Sequence, residues 1–406
     1  MPDPEASTRP RAPESGVPTV LQVVPALEVG GAERATVDVA AALAAAGWRA
    51  IVASSGGRLV REVERAGARH VILPVDAKGP FAIRANVDRL ADLMARESVD
   101  LVHARSRAPA WSARAAARRT GRPFVTTFHG VYGAGSPLKR LYSGIMAKGD
   151  RVIAVSEFVA GHARALYRAD DARLRVVPRG IDMALFDPAR VSAERIIALA
   201  RRWALPDGVP VVMLPGRLSY WKGHAVLVEA LARLGRRDVV GLLVGAAARD
   251  GGTRRRLERA VAARGLGGVV RLVEEWHDMP AAYMLADVVV SASTEPEAFG
   301  RVAVEAQAMG RPVVASDHGG ARETVVPGET GWLTRPGDAG ALAAALDHAL
   351  GLGAAERMAL ARRARSWVAG RFDKATMCAA TLAVYRELVA EPARAGVPAA
   401  RRRAAP

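Results

Sequence analysis

Several residue types are scarce in this sequence, and each shortage closes off a class of function. There is one cysteine, Cys378, so the chain cannot form an intrachain disulfide framework or a cysteine-based zinc or iron–sulfur site. Aromatic residues make up only 5% of the chain, which argues against a nucleic-acid reader built on base stacking. Lysine is rare as well: Lys78, Lys139, Lys148, Lys222 and Lys374 are the five lysines among 58 basic residues. No D-x-D occurs, which removes a common metal-diphosphate motif. The G-x-x-x-x-G-K-[ST] phosphate loop is missing, and so is a G-x-S-x-G nucleophile elbow. Charge interrupts every apolar run well short of the ~20 residues that a membrane-crossing helix needs. The opening MPDPEASTRPRAPESGVP lacks the apolar centre of a signal peptide. Residues 1–17 and 392–406 read as disordered tails, and the expected location is the cytoplasm.

What is present describes a large globular enzyme-sized chain. Its 406 residues, half of them hydrophobic, are enough for two or three domains with real cores. The balance of 58 Lys+Arg against 41 Asp+Glu gives a formal charge of +17 and favours anionic partners. Part of that charge has an address. Residues 101–149 hold nine Lys+Arg and no Asp or Glu, about half of the net charge.

Short apolar runs alternate with longer amphipathic ones. TVLQVV (19–24), AIVAS (50–54), HVILPV (70–75), DLVHA (100–104), PFVTTF (123–128) and RVIAVS (151–156) read as buried strands with helices between them. RVVPRGID (175–182) closes this series. A second series runs through PVVMLPG (210–216), VVGLLVG (239–245), VVRLV (269–273), DVVVSAS (287–293), RPVVAS (311–316) and GWLT (331–334). Repeated βα units imply parallel sheets covered on both faces. The expected architecture is α/β, with two doubly wound domains at 18–190 and 191–372 facing across a cleft. A terminal helix at 373–391 follows, a candidate to pack back on the first domain. Ligands of such sheets bind beyond the carboxyl ends of strands, so the chemistry is sought in the loops after strands.

SASTEPEAFGRVAVEAQAMG (291–310) is the most informative of these loops. A helix is expected to start near Phe299, which turns the first amides, at Phe299, Gly300 and Arg301, toward an anion. Glu297 lies just before this turn and Glu305 eight residues later, suited to accept from hydroxyls on either side of a phosphate. Taken alone, the spacing also fits a helix-start charge and an ordinary polar face. PGRLSYWKGH (215–224) follows another strand and offers Arg217 and Lys222, two cations suited to a diphosphate. In the first half, Gly30-Gly31 precedes a helix and is an anion-tolerant turn, though not a dinucleotide fingerprint. TTFHGVYG (126–133) places His129 directly after a strand, available to donate to or accept from a reacting group.

GRLSYWKGH and EPEAFGRVAVEAQAMGRPVVASDHGGARETV, preceded by VGGAER and FHG, resemble glycosyltransferase family 4, of the GT-B fold, over about residues 18–390. The resemblance implies retaining transfer of a sugar from a nucleotide-diphosphate donor, UDP- or GDP-linked, with no cofactor and no metal. By position, Arg217 and Lys222 would hold the diphosphate with the amides near Phe299, Gly300 and Arg301. Glu305 would bind the ribose and Glu297 the donor sugar. His129 would sit by that sugar on the acceptor side, and Gly30-Gly31 near the phosphates. Two departures stand out. The family often has Asn-Gly-Val-Asp where this chain has Arg179-Gly180-Ile181-Asp182, and a glycine near Glu274, in the loop that meets the nucleobase.

The acid-free window lies on what the resemblance makes the acceptor side. SPLKRLYSGIMAKG (136–149) mixes cations with Leu138, Leu141, Tyr142, Ile145 and Met146. It fits a surface resting on an anionic bilayer, and it fits equally an ordinary helix burying its apolar face. The expected activity is glycosylation of a glycan or lipid-linked acceptor in cell-envelope polysaccharide or lipopolysaccharide assembly, peripheral to the inner face of the cytoplasmic membrane. The alternatives are a sugar-nucleotide epimerase of the same fold and a soluble small-molecule glycosyltransferase. Nucleic acid is not an expected partner.

Overall fold

A computed structural model describes residues 16–28, 30–133, 135–246, 252–274 and 276–390. Apart from Gly16 and Val17, the two expected tails lie outside the described residues. Seven strands form the first sheet: β1 (Thr19–Val23), β2 (Arg49–Ser54), β3 (Arg69–Ile72), β4 (Leu101–Ala104), β5 (Phe124–Phe128), β6 (Arg151–Ala154) and β7 (Leu174–Val176). Six form the second: β8 (Val211–Pro215), β9 (Val240–Val244), β10 (Val270–Val273), β11 (Val288–Ser291), β12 (Val313–Ser316) and β13 (Trp332–Thr334). The orders are β3-β2-β1-β4-β5-β6-β7 and β10-β9-β8-β11-β12-β13. All described pairings are parallel, with helices filling the crossovers. These are two Rossmann-like sheets, and each counterpart falls where a short apolar run stands in the sequence.

The strands are continuous apolar runs because both of their faces are covered. In the second sheet Met213, Leu242, Val289 and Val313 enter one core, while Val212, Leu214, Leu243, Val288 and Val314 enter the other. Alternate residues of one strand therefore serve opposite faces, and neither face tolerates a charge. Both sheets reverse their order once, between β1 and β4 and between β8 and β11. At such a reversal the loops after the two strands diverge and leave a crevice. Gly30-Gly31 follows β1, the Arg217–Lys222 loop follows β8, and Glu297 follows β11.

The chain divides into two compact units. One comprises Met1–Thr127, Lys148–Arg151 and Ala380–Pro406; the other comprises Phe128–Ala147 and Val152–Ala379. The terminal helix runs Lys374–Arg386. Within the first unit its Tyr385 Oη lies 2.6 Å from His103 Nδ1, and Thr127 Oγ1 lies 2.7 Å from His103 Nε2. Burial, reinforced by the Arg105 charge, holds the His103 imidazole well below its usual pKa. It is a neutral, doubly bonded ring.

Candidate active site

β8 and β11 are hydrogen-bonded neighbours, with Val212 opposite Val288 and Met213 opposite Val289. Their loops therefore meet although 75 residues separate them in sequence. Gly223 has φ +75, and a Cβ there would strike the Ala292 carbonyl, so only glycine lets the two loops close. Across this contact Lys222 Nζ donates to Glu297 Oε1 at 2.8 Å, and Ser293 Oγ donates to the same oxygen at 2.5 Å. Thr294 N donates to the Trp221 carbonyl at 2.7 Å, and Tyr220 Oη to Glu295 Oε1 at 2.6 Å. The Lys222 ammonium also lies 4.5 Å from the Trp221 ring centroid. Its side chain and that of Glu297 are 18% and 13% exposed, enough to strengthen their attraction and still admit a ligand. Arg217 is exposed, and its guanidinium has no ion pair or hydrogen bond among the described residues.

The helix after Glu297 begins two residues later than expected. It spans Arg301–Ala308, with Gly300 as its cap at φ 90 and ψ 52. Phe299 precedes the helix and is buried, its ring 5.4 Å from Phe372, because the left-handed turn at Gly300 drives the preceding side chain into the core. The first donors with an intrahelical partner are Ala303 and Val304, both to the Gly300 carbonyl. The open amide end is therefore formed by the start of the helix proper, one turn from Glu305. Glu305 is buried, yet both of its oxygens are engaged. Tyr283 Oη donates to Oε2 at 2.8 Å and Arg301 Nη2 to Oε1 at 2.7 Å. Burial and the Glu305 charge push the Tyr283 phenol well above its usual pKa, so it remains a donor. Each carboxylate oxygen keeps a second lone pair for an incoming hydroxyl.

A second set of contacts presses on the same loop. Gly319-Gly320 follow β12, the neighbour of β11. A Cβ on Gly319 would come within 2.5 Å of the Glu297 carbonyl oxygen, and one on Gly320 within 2.5 Å of Phe299 Cα. Gly320 N donates to the Glu297 carbonyl at 2.8 Å. Ser156, after β6, donates through Oγ to the Ala298 carbonyl at 2.6 Å. Glu323 then caps the helix that starts beside it, accepting from Glu157 N and Phe158 N at 2.8 Å each. The loop carrying Glu297 is thus held from three sides. Sequence reading did not single out Ser156, Tyr283, Ser293 or Glu323. Ser293 and Glu323 stand inside the motif strings and offered a signal; Ser156 and Tyr283 are distant in sequence and offered none.

The remaining expected residues fall elsewhere. His129, after β5, accepts at Nδ1 from Arg179 Nη2 at 3.1 Å. Gly30 caps the helix Gly31–Ala45 in extended backbone, but the Glu33 carboxylate folds over its Cα and puts negative charge at that turn. Glu274 is exposed. Window 136–149 splits: Leu138 and Leu141, on the helix Pro137–Gly144, are 78% and 68% exposed, whereas Ile145 and Met146 are buried. Among the described residues no three His, Cys, Asp or Glu side chains gather as a metal site, and no helix is long and apolar enough to cross a membrane.

Residues 29–185 match the pattern of Glycosyltransferase Family 4, and residues 197–367 match that of Glycosyl transferases group 1. A protein of Salinispora tropica, named D-inositol 3-phosphate glycosyltransferase, is 34% identical over 335 residues, 76% of this chain and 68% of that protein. The chain belongs to glycosyltransferase family 4. Other relatives carrying the D-inositol 3-phosphate name are matched over 41% to 58% of their own length. A glycosyltransferase of Rickettsia africae shares the fold at TM-score 0.85 and 38% identity, covering 91% of this chain and 98% of that one. HepE of Anabaena, solved with UDP and glucose, follows at TM-score 0.79 and 25% identity, over 91% and 100% of the two chains. The protein is therefore a glycosyltransferase of GT-B fold, and the loops after β8 and β11 lie within the stretch that matches the second pattern.

Proposed function

We propose that this glycosyltransferase moves a hexose, with retention, from a nucleoside-diphosphate sugar to a lipid-linked acceptor at an anionic membrane face. The contact that carries the reading is Lys222 on Glu297, with Glu305 one helical turn into the adjoining helix. An ammonium beside a carboxylate serves a diphosphate and a sugar hydroxyl at once. Lys222 has three N–H donors and spends one on Glu297, which leaves two for phosphate oxygens. Arg217, exposed on the same loop, supplies a second cation. As the glycosidic bond stretches, charge collects on the departing diphosphate. Fixed donors already aimed at it lower that barrier without reorganising. Glu305, oriented by Tyr283 and Arg301, accepts from the ribose hydroxyls. Glu297 accepts from the donor sugar. The reaction needs no metal in this scheme, and no protein nucleophile is assigned.

The acceptor reading rests on Leu138 and Leu141, which lie exposed beside Lys139 and Arg140. Cell-envelope polysaccharide or lipopolysaccharide assembly on the cytoplasmic face is the setting in which such a surface is useful. A second reading, a soluble phosphorylated polyol as acceptor, is favoured by the name of the Salinispora relative. The testing experiment is a thermal-shift and donor-hydrolysis screen across UDP-, GDP- and ADP-sugars, with the donor's anomeric configuration followed by NMR. Response to one nucleotide, lost in Glu305→Ala and Lys222→Ala, is the expected result. Silence across the panel overturns the proposal, and an altered donor with no acceptor present favours an epimerase.

A further inference from the structure

The structure gives Arg179 a specific task. β5 and β7 flank β6, so the loops beyond their carboxyl ends face each other across one strand. His129 leaves β5 and Arg179 leaves β7. Arg179 Nη2 lies 3.1 Å from His129 Nδ1 and 3.4 Å from the His129 carbonyl oxygen. A guanidinium has only N–H groups and stays charged, so it can donate and never accept. Nδ1 must therefore be the unprotonated nitrogen of the ring, and the imidazole proton sits on Nε2. An imidazolium would set two donors and two positive charges against each other at that distance.

The backbone that presents Arg179 is held firmly. Ile181 N donates to the Phe372 carbonyl and Lys374 N to the Ile181 carbonyl, each at 2.8 Å. Lys374 Nζ reaches Asp182 Oδ2 at 2.6 Å. A Cβ on Gly180 would meet Lys374 Cα at 2.6 Å, so the segment lies flush against the start of the terminal helix. The guanidinium approaches His129 from a fixed platform, a geometry that a flexible surface arginine would not keep.

We infer that Arg179 is a positioning residue that locks His129 as a neutral Nε2–H tautomer, making His129 a hydrogen-bond donor to a sugar oxygen and not a general base. The sugar contact rests on the transferase reading together with the place beside the donor sugar that the family resemblance implies for His129, but the tautomer itself does not. In the 15N-histidine-labelled protein at pH 7, the His129 resonances are assigned by comparison with His129→Gln. Nε2 is expected at the protonated shift and Nδ1 at the unprotonated one. Arg179→Met should release the lock and give a mixture of tautomers. With UDP-glucose as the donor, Arg179→Met should lower kcat by about tenfold to 100-fold while leaving the donor KM within a few fold. Arg179→Lys should recover most of that loss, since it restores a cationic donor. A wild-type His129 protonated on Nδ1, or doubly protonated at pH 7, overturns the inference without any variant having to fold. So does an Arg179→Met protein with unchanged tautomer and unchanged kcat. If the protein turns over none of the nucleotide sugars while the Nε2–H signature is present, the transferase reading fails and the lock stands.

Discussion

Removing Lys222 asks two questions at once, and a mutant cycle separates them. At 2.8 Å with an effective dielectric of 20, the ammonium and the Glu297 carboxylate attract by about 6 kcal/mol. Desolvation of two side chains that are 18% and 13% exposed returns much of this, leaving an expected coupling of about 1–3 kcal/mol. Lys222→Met alone strands the carboxylate with Ser293 as its remaining side-chain donor among the described residues, so it should be the most destabilised of the set. Glu297→Gln keeps the shape and an acceptor oxygen. The double variant should recover stability toward wild type, because no uncompensated charge is left in the loop. Its activity should not recover. Loss of one donor to the departing diphosphate costs on the order of 10²–10³ in kcat. Urea unfolding of the four proteins at pH 7 measures the first quantity, and donor turnover measures the second. Additive stability effects, or wild-type turnover in the double variant, would refute the claim that this pair is both a brace and part of the site.

Other consequences follow from neighbouring contacts. Glu305→Gln keeps an acceptor for Tyr283 but removes the charge that Arg301 uses and that the proposed ribose contact would use; donor KM should rise about tenfold with little change in melting temperature. Gly320→Ala places a methyl against the Phe299 backbone, so the Glu297 loop must shift; a loss of more than about 1 kcal/mol in unfolding, together with weakened donor binding, is expected, and an unchanged thermal shift with donor would contradict the packing. Acid should act through buried histidines. Burial lowers His224 to about 4 and holds His103 well below its usual value. Their stabilising contribution is complete above pH 6.5 and is lost as pH falls toward the folded pKa, because the unfolded ring binds a proton that the folded ring refuses. Each loses about 1.4 kcal/mol per pH unit in that window. His103→Gln should flatten the pH dependence of the first unit's unfolding, and a slope equal to wild type would show that His103 is protonated in the fold.

Much of this arrangement was legible because the local signals were one-dimensional. Parallel strands buried on both faces leave apolar runs, and every expected run became a strand. The pairing of Lys222 with Glu297 was legible only as membership of two loops. What joins them is the adjacency of β8 and β11, a property of strand order that no local pattern encodes. Ser156 and Ala298 follow strands of different sheets, and Tyr283 and Glu305 lie on two helices; tertiary packing joins these pairs, and no local pattern encodes it either. The helix starts two residues past Phe299, whose side chain continues the apolar periodicity, because Gly300 adopts a left-handed backbone. Gly30-Gly31 looked open to anions from composition alone; the Glu33 carboxylate resting on Gly30 changes the electrostatics of that turn.

The cations of the basic window, 101–149, divide by the partners they have. Arg105 is buried and donates to Gln22 Oε1 at 2.7 Å; Arg119 pairs with Asp88 at 2.5 Å. These cations answer to internal partners outside the window. On the helix Pro137–Gly144, by contrast, the Lys139 ammonium has no partner among the described residues, and Arg140 is exposed although its Nε reaches the Leu166 carbonyl at 2.9 Å. Two basic residues near an anionic surface contribute about 2 kcal/mol. Burying two mostly exposed leucines adds about 3–4 kcal/mol. The sum, about 5–6 kcal/mol, matches the affinity of a single myristoyl chain, which binds reversibly and needs a second signal to stay. Flotation with phosphatidylglycerol vesicles should therefore show partial binding at 0.15 M salt, and Leu138→Glu with Leu141→Glu should abolish it. Removing the two charges should weaken it about 30-fold, and raising salt should weaken it by less, since the leucine part is not screened. Full binding in the leucine variant would mean that the protein meets the membrane through another surface, whereas no binding by the wild-type protein would leave the soluble phosphorylated acceptor as the better reading.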